Sequence, residues 1–394
     1  MLEKSSSLQP TTNSPGTSSV SWLDIFVDLS FALSLASLGD IFSAGVSWTS
    51  LGIFSMLAYV VLWVWNRLSW YTIFSSTKAF WIWLVYAAAI FAMLAIATNT
   101  SLLQQGVYKF ASYWFLVADV ALLVLWAGML RRQKRQHINT LPNFIAYFVS
   151  FWLIFASLFA KGDTRIALWV IALLLLLIIP YIGWLIDRKK IPLRSSAIVS
   201  RQFLFATVAI GLSLFPMIDD LRSIYTFSEI GVAALCLLVV VLLVRIFQNN
   251  IVEFRMAPCS AYSSFKYVYA LNLVYIPLMG GLAAMIHGYS AFLNHTYASL
   301  PSLILLMMVG LGVFVLVLGI LPQAFLHGAQ HSRTAARLIV GAALTVSAVV
   351  ISRTSFLEPL LITAALLLVL VIAEIIIGRI DPIRPSVGPV VGDE

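Results

Sequence analysis

Twelve apolar segments of about 20 residues constrain the fold of this chain more than any other feature of its sequence. A segment of that length with few charges spans the hydrocarbon core of a bilayer as an α-helix. Hydrophobic residues make up 61% of the 394 positions and charged residues 10%, which is too little polar surface to cover a soluble domain. The sequence therefore predicts an all-α fold, a polytopic transmembrane helical bundle of about 12 helices. The segments lie at residues 20–42, 48–71, 79–99, 109–130, 142–160, 165–186, 198–217, 229–249, 265–287, 299–320, 333–352 and 356–378.

The distribution of basic residues predicts the orientation of this bundle. If twelve helices alternate in direction, 19 of the 24 Lys and Arg residues fall on the side of the N-terminus and 5 on the opposite side. Such an excess is typical of cytoplasmic loops, so we expect both termini in the cytoplasm and the helices in the plasma membrane. Arg67 and Arg245 lie near the inner ends of the second and eighth helices, which is compatible with two related six-helix halves.

Three regions follow from this pattern. Residues 1–19 are rich in Ser and Thr and are predicted to form a disordered cytoplasmic tail. Residues 20–379 form the transmembrane helical domain, and residues 380–394 form a second cytoplasmic tail. The main partner of such a chain is the lipid bilayer, and a small solute or cation is compatible with it.

Several classes of function find no support in the sequence. The formal charge of +8 comes from short loops between apolar segments, so it indicates membrane orientation and not nucleic-acid binding. The two cysteines, Cys236 and Cys259, have no metal-ligand company, and no phosphate-binding loop, nucleophile motif or dinucleotide fingerprint occurs. We therefore expect no enzymatic activity, no cofactor and no bound metal.

Two carboxylates open the first apolar segment, and they are the principal candidate site. Asp24 and Asp28 are four residues apart, so they lie on one face of a helix. With Trp22 near the membrane interface, Asp28 lies about 9 Å inside the segment. An ionisable group at that depth is costly and is a functional-site hypothesis by default. The pair can serve as a cation or proton site, or it can form a structural ion pair with an arginine.

Four further polar residues complete the predicted ion, proton or polar site. Arg67, Arg201 and Arg245 lie near the same ends of their helices as Asp24 and Asp28, so each is a candidate partner. Asp119 lies in the middle of the fourth segment with no basic residue near it, so it either carries a proton or hydrogen-bonds to a neighbouring helix. Glu374 is one turn from Arg379, which predicts a local pair or an extension toward the membrane surface.

The first segment resembles the first helix of the bacterial low temperature requirement A (LtrA) family, which typically reads W-L-E-L-F-F-D-L-V-F-V. The residues that fall in place are Trp22, Leu23, Asp24, Phe26, Asp28, Leu29 and Phe31. The stretches 63–71, 91–95 and 267–280 are also similar to the family. The family's seventh helix tends to read E-R-F-G…L-G-E-S, and here Arg201 is kept while Ser200 and Leu212 replace the glutamates. The chain is thus similar to a divergent member.

The resemblance implies an integral membrane protein with a link to growth in the cold, but it supplies no molecular activity. Buried acids in the first helix favour a secondary transporter or an ion or proton pathway. The alternative is a non-transporting membrane scaffold or assembly component, and a channel is a third reading of the acidic motif. Asp28 would bind the ion, and Asp24 and Arg201 would tune it.

Overall fold

The computed structural model of the chain describes residues 22–43, 45–74, 79–132, 140–186, 195–217, 226–256, 261–296, 298–325, 330–351 and 355–380. Apart from Ile380, the two predicted tails lie outside these residues. The helices, in chain order, are α1 Trp22–Ser37, a 3-10 turn Leu38–Phe42, α2 Trp48–Phe74, α3 Phe80–Thr98, α4 Thr100–Gln104, α5 Tyr108–Arg132, α6 Thr140–Ser157, α7 Gly162–Ile186, α8 Ser195–Leu212, α9 Phe227–Met256, α10 Ala261–Leu293, α11 Leu300–Phe325, α12 His331–Ile351 and α13 Leu357–Ile380.

These helices confirm the predicted fold class. Within the described part of the chain, ten helices are long and apolar enough to cross a membrane, and shorter apolar helices cover Leu141–Ser157 and Arg201–Met217. Together they coincide with the twelve predicted segments. The five-residue helix α4 lies in a link and is too short to span. Helix α9 continues to Met256, beyond the predicted end at residue 249.

The helices pack in two groups that meet at α1, α2 and α8. In the first group α3 packs against α5, α5 against α6, and α6 against α7. In the second, α10, α11, α12 and α13 pack in sequence, and α13 also contacts α9. Helix α1 contacts α2, α3 and α8, so it lies where the groups join.

Helix α1 buries both of its polar faces. Asp28 is fully buried, and Ser30 and Ser34, on the other side of the helix, are also buried. An apolar strip remains exposed, and it includes Phe26 and Leu29. In a membrane protein such a strip suits contact with lipid, whereas the acids face neighbouring helices.

Glycines allow α10 and α11 to approach closely. A β-carbon at Gly310 would lie 2.7 Å from the backbone oxygen of Pro277 and 2.9 Å from Cα of Gly281. A β-carbon at Gly281 would lie 3.0 Å from the backbone nitrogen of Leu311. Because these contacts are with backbone, which cannot move aside cheaply, the pairing of the two helices requires glycine at both positions.

Replacing Gly310 by alanine is therefore expected to destabilise the protein by about 1–3 kcal/mol, the cost of overpacking. Thermal unfolding of the purified protein in detergent measures the effect. The matched control is Gly231→Ala in α9, where a β-carbon meets nothing within 4 Å. Since alanine favours helix, that change should be neutral or stabilising by up to about 1 kcal/mol. Equal stability of the two variants would contradict the proposed close contact.

Candidate functional site

The two acids of α1 meet Arg201 of α8. Their spacing of one helical turn places both carboxylates on the face that α8 packs against. One terminal nitrogen of Arg201 pairs with Asp24, and the other lies 3.4 Å from Oδ1 of Asp28. Asp28 and Arg201 are both buried, and Asp24 is largely buried, so the charges interact away from bulk water.

Helix α2 supplies two further partners of this group. The indole Nε1 of Trp65 donates a 2.7 Å hydrogen bond to Oδ1 of Asp28. The Trp65 ring stacks on Phe205 of α8 at 3.8 Å between centroids, which fixes its orientation. Arg201 also donates to the hydroxyl of Thr72. We call Asp24, Asp28, Trp65, Thr72 and Arg201 the Asp28 cluster.

Two buried polar atoms of the Asp28 cluster have no hydrogen-bond partner among the described residues. Oδ2 of Asp28 is buried and accepts no hydrogen bond from the described residues. Nε of Arg201 is likewise buried without an acceptor in this part of the chain. A buried carboxylate oxygen without a donor is costly, so a proton or a small cation at Oδ2 would stabilise the cluster.

The structure does not bring the other candidate residues to this cluster. Arg67 is buried on α2, and its guanidinium lies 3.9 Å from the ring centroid of Trp63, a cation–π contact. Arg245 is exposed on α9. Asp119 is fully buried in α5, where its Oδ2 accepts a 3.0 Å hydrogen bond from the hydroxyl of Ser150 on α6.

A further set of buried polar residues joins α8 to α10 next to Arg201 in the chain. The neighbouring residue, Gln202, donates from Nε2 to Oδ1 of Asn272 at 3.2 Å. The hydroxyl of Tyr275 donates to Gln202, 3.1 Å from its Oε1. All three residues are buried, and Nδ2 of Asn272 has no acceptor among the described residues. Buried hydrogen bonds therefore connect α8 to the second group of helices.

A second buried ionic group, centred on Arg337 of α12, was missed by the sequence analysis. Nε of Arg337 donates to Oε1 of Glu374 at 2.6 Å, and one terminal nitrogen donates to Oε2 of Glu253 at 3.0 Å. That nitrogen also lies 3.3 Å from the backbone oxygen of Leu318. Arg337 is fully buried, and both glutamates are 2% exposed.

Side chains of α9 and α10 complete the hydrogen bonds of this second group. We call it the Arg337 cluster, and its members are Asn249, Asn250, Glu253, Tyr267, Arg337 and Glu374. Nδ2 of Asn249 donates to the second carboxylate oxygen of Glu374, Oε2, at 2.6 Å. Tyr267 donates to Asn250, whose Nδ2 donates to the Leu318 carbonyl at 3.1 Å. The backbone nitrogen of Gln330 donates to Oε1 of Glu253 at 3.3 Å. Every carboxylate oxygen of this cluster thus accepts a hydrogen bond, unlike Oδ2 of Asp28.

The prediction of a local pair or an extension toward the membrane surface for Glu374 was wrong, because its two carboxylate oxygens bond to Arg337 of α12 and Asn249 of α9. The signal that could have found the cluster lies in the length of α9. The predicted end at residue 249 placed Glu253 in a loop, whereas the helix carries it to Met256. With that extension, Glu253, Arg337 and Glu374 lie at similar depth from one end of the bundle.

Comparison with known proteins gives one result. The model of a family described as bacterial low temperature requirement A protein (LtrA) matches residues 19–373, which include both ionic clusters. No curated protein and no solved structure matches the chain. No group of three or more His, Cys, Asp and Glu side chains placed to hold a metal ion occurs in the described ranges.

Proposed function

We propose that this chain, which belongs to the bacterial low temperature requirement A (LtrA) family, moves a proton or a small cation through the Asp28 cluster. The chain is an integral membrane protein, with ten apolar helices of spanning length in its described part. Acids inside a membrane commonly mark ion pathways and proton relays. In this proposal Asp28 binds the ion, and Asp24 and Arg201 adjust the charge around it.

One observation carries the proposal, namely the open oxygen of Asp28. Oδ1 is occupied by Trp65 and Arg201, whereas Oδ2 is buried and accepts no hydrogen bond from a described residue. A site for one positive charge, bound and then released, is what a relay needs.

Replacing Asp28 by asparagine tests this function. The change removes the charge and keeps the size, so the protein should fold while flux falls by about an order of magnitude or more. Flux is measured in proteoliposomes that contain a dye sensitive to the ion under test, with proton, Na⁺ and K⁺ gradients applied in turn. Asp163→Asn, at an exposed position in the first turn of α7, is the matched control and should keep normal flux.

The competing class is a membrane scaffold or assembly component without transport. It predicts that the wild-type protein moves none of these ions, and that Asp28→Asn changes only the yield of folded protein. Normal flux through a folded Asp28→Asn variant would equally contradict the assigned role of Asp28.

The orientation and the membrane are part of the same proposal. The excess of basic residues at the N-terminal side supports a bacterial plasma-membrane protein with both termini in the cytoplasm. A fluorescent protein that matures only in the cytoplasm, fused after Glu394, should therefore fluoresce. Alkaline phosphatase, which needs the oxidising periplasm, should be inactive at the same position. The opposite pattern would reverse the orientation.

A further inference from the structure

A cavity of about 730 Å³, open to the surface, lies at the end of α1 remote from Asp24. Its walls come from the 3-10 turn, the link to α2, the short helix α4 and the first turns of α2 and α11. Its volume lies within the range of about 300–1,000 Å³ that is usual for small-molecule sites. It belongs neither to the Asp28 cluster nor to the Arg337 cluster.

The described lining residues of this cavity carry hydroxyl groups and no charge. Ile41, Val46 and Ile53 add apolar surface, and Gln104 adds an amide. Hydroxyls both donate and accept hydrogen bonds, so they match a ligand that does the same. The hydroxyl-bearing residues that face the cavity include Ser43, Ser47, Thr49, Thr296, Ser299 and Ser302.

Hydrogen bonds between the walls hold the cavity open. The backbone nitrogen of Val46 donates to the hydroxyl of Ser302 at 3.1 Å, which ties the link after α1 to α11. Nε2 of Gln104 donates to the backbone oxygen of Ile41 at 2.8 Å, which ties α4 to the 3-10 turn. Gly45 has a φ of 103°, a left-handed conformation that favours glycine and lets the link turn at this wall. A pre-formed site costs less ordering when a ligand binds.

We propose that this cavity binds a neutral, polyhydroxylated solute, of the chemical class of a small polyol or sugar. The hydroxyls of Ser47, Ser299 and Ser302 already donate to groups of the chain, so they would accept hydrogen bonds from the solute. The apolar residues would cover its C–H faces. The hydroxyls of Ser43 and Thr49 lie on exposed residues and bond to none of the described groups, so they can contact a ligand directly. A charged ligand would find no counter-ion among the described lining residues.

Equilibrium dialysis of the full chain in lipid nanodiscs tests the proposal. Nanodiscs avoid sugar-headed detergents, which would compete for the site. The probes are labelled sorbitol and glucose, with gluconate and glucosamine as anionic and cationic counterparts of similar size. Sorbitol or glucose should bind saturably at about one molecule per chain, and the charged counterparts should bind about tenfold more weakly or worse.

Filling the cavity should remove this binding. Thr49→Phe places a ring in the cavity at an exposed second position of α2, so the fold should tolerate it while affinity drops by about tenfold or more. Ser101→Ala, at an exposed residue of the adjacent helix α4, lies outside the lining and should leave affinity unchanged.

Three results would overturn the proposal: no saturable binding of either neutral probe, equal binding of a charged counterpart, or unchanged binding in folded Thr49→Phe. The proposal does not depend on ion flux, because binding is measured at equilibrium. Asp28→Asn should therefore retain full binding, so failure of the ion pathway and failure of this site can be told apart.

Discussion

Replacement of Arg337 by methionine should lower the free energy of unfolding by about 3–5 kcal/mol, the usual cost of removing one partner of a buried ion pair. The guanidinium is fully buried and bonds to both Glu253 and Glu374. Without it, two carboxylates at 2% exposure would remain without a counter-charge at the junction of α9, α12 and α13. Chemical or thermal unfolding of the purified protein measures the loss.

Neutralising the acids tests the cause of that loss. In the triple variant Arg337→Met, Glu253→Gln, Glu374→Gln no charge remains unpaired, so most of the stability should return. Arg379→Met is the matched control, because Arg379 is exposed and lies only one turn from Glu374 on α13. That variant should differ from wild type by about 0.5 kcal/mol or less. If the triple variant were no more stable than Arg337→Met, lost packing and not unpaired charge would explain the effect.

Replacement of Arg201 by methionine should cost a similar amount, about 3–5 kcal/mol, because it leaves the buried carboxylate of Asp28 without its guanidinium partner. Here the rescue experiment separates stability from function. Adding Asp24→Asn and Asp28→Asn should restore stability, since the carboxylates are then neutral. Ion flux should stay lost, because the proposed binding oxygen of Asp28 is gone. Unfolding and proteoliposome flux are therefore measured on the same preparations.

Arg245→Met is the control for Arg201. The side chain is exposed on α9, so its loss should change the free energy of unfolding by about 0.5 kcal/mol or less. A full return of flux in the Arg201→Met, Asp24→Asn, Asp28→Asn variant would contradict the ion-binding role of Asp28. An Arg201→Met variant as stable as wild type would contradict the buried ion pair.

The contrast between the two clusters also bears on their roles. The Arg337 cluster leaves no carboxylate oxygen without a donor, so it suits a structural link between helices. The Asp28 cluster keeps one buried oxygen open. Both clusters contain two acids and one arginine. They differ because the side-chain amide of Asn249 and the backbone amide of Gln330 donate to the remaining carboxylate oxygens of the Arg337 cluster.

Part of the candidate site could be predicted because it depends on local spacing. Asp24 and Asp28 share a face on any α-helix, and the structure places both against Arg201. Arg67 and Arg245 are predicted at the same depth in the membrane as Arg201. In the structure, however, Arg67 packs on Trp63 and Arg245 is exposed. Depth along a helix follows from counting residues, whereas the direction of each side chain depends on how the helix is rotated in the bundle.

The sequence by itself determined the number and order of the apolar helices and the shared face of the two acids in α1. These properties depend on the length of each apolar segment and on the helical period of 3.6 residues. Both can be read from one segment without knowing its neighbours in space. Only the tertiary structure decided that Arg201 is the partner of those acids and that Glu253, Arg337 and Glu374 form a second cluster. The physical reason is that such pairs join residues far apart in the chain, and their contacts depend on the rotation and packing of whole helices against one another.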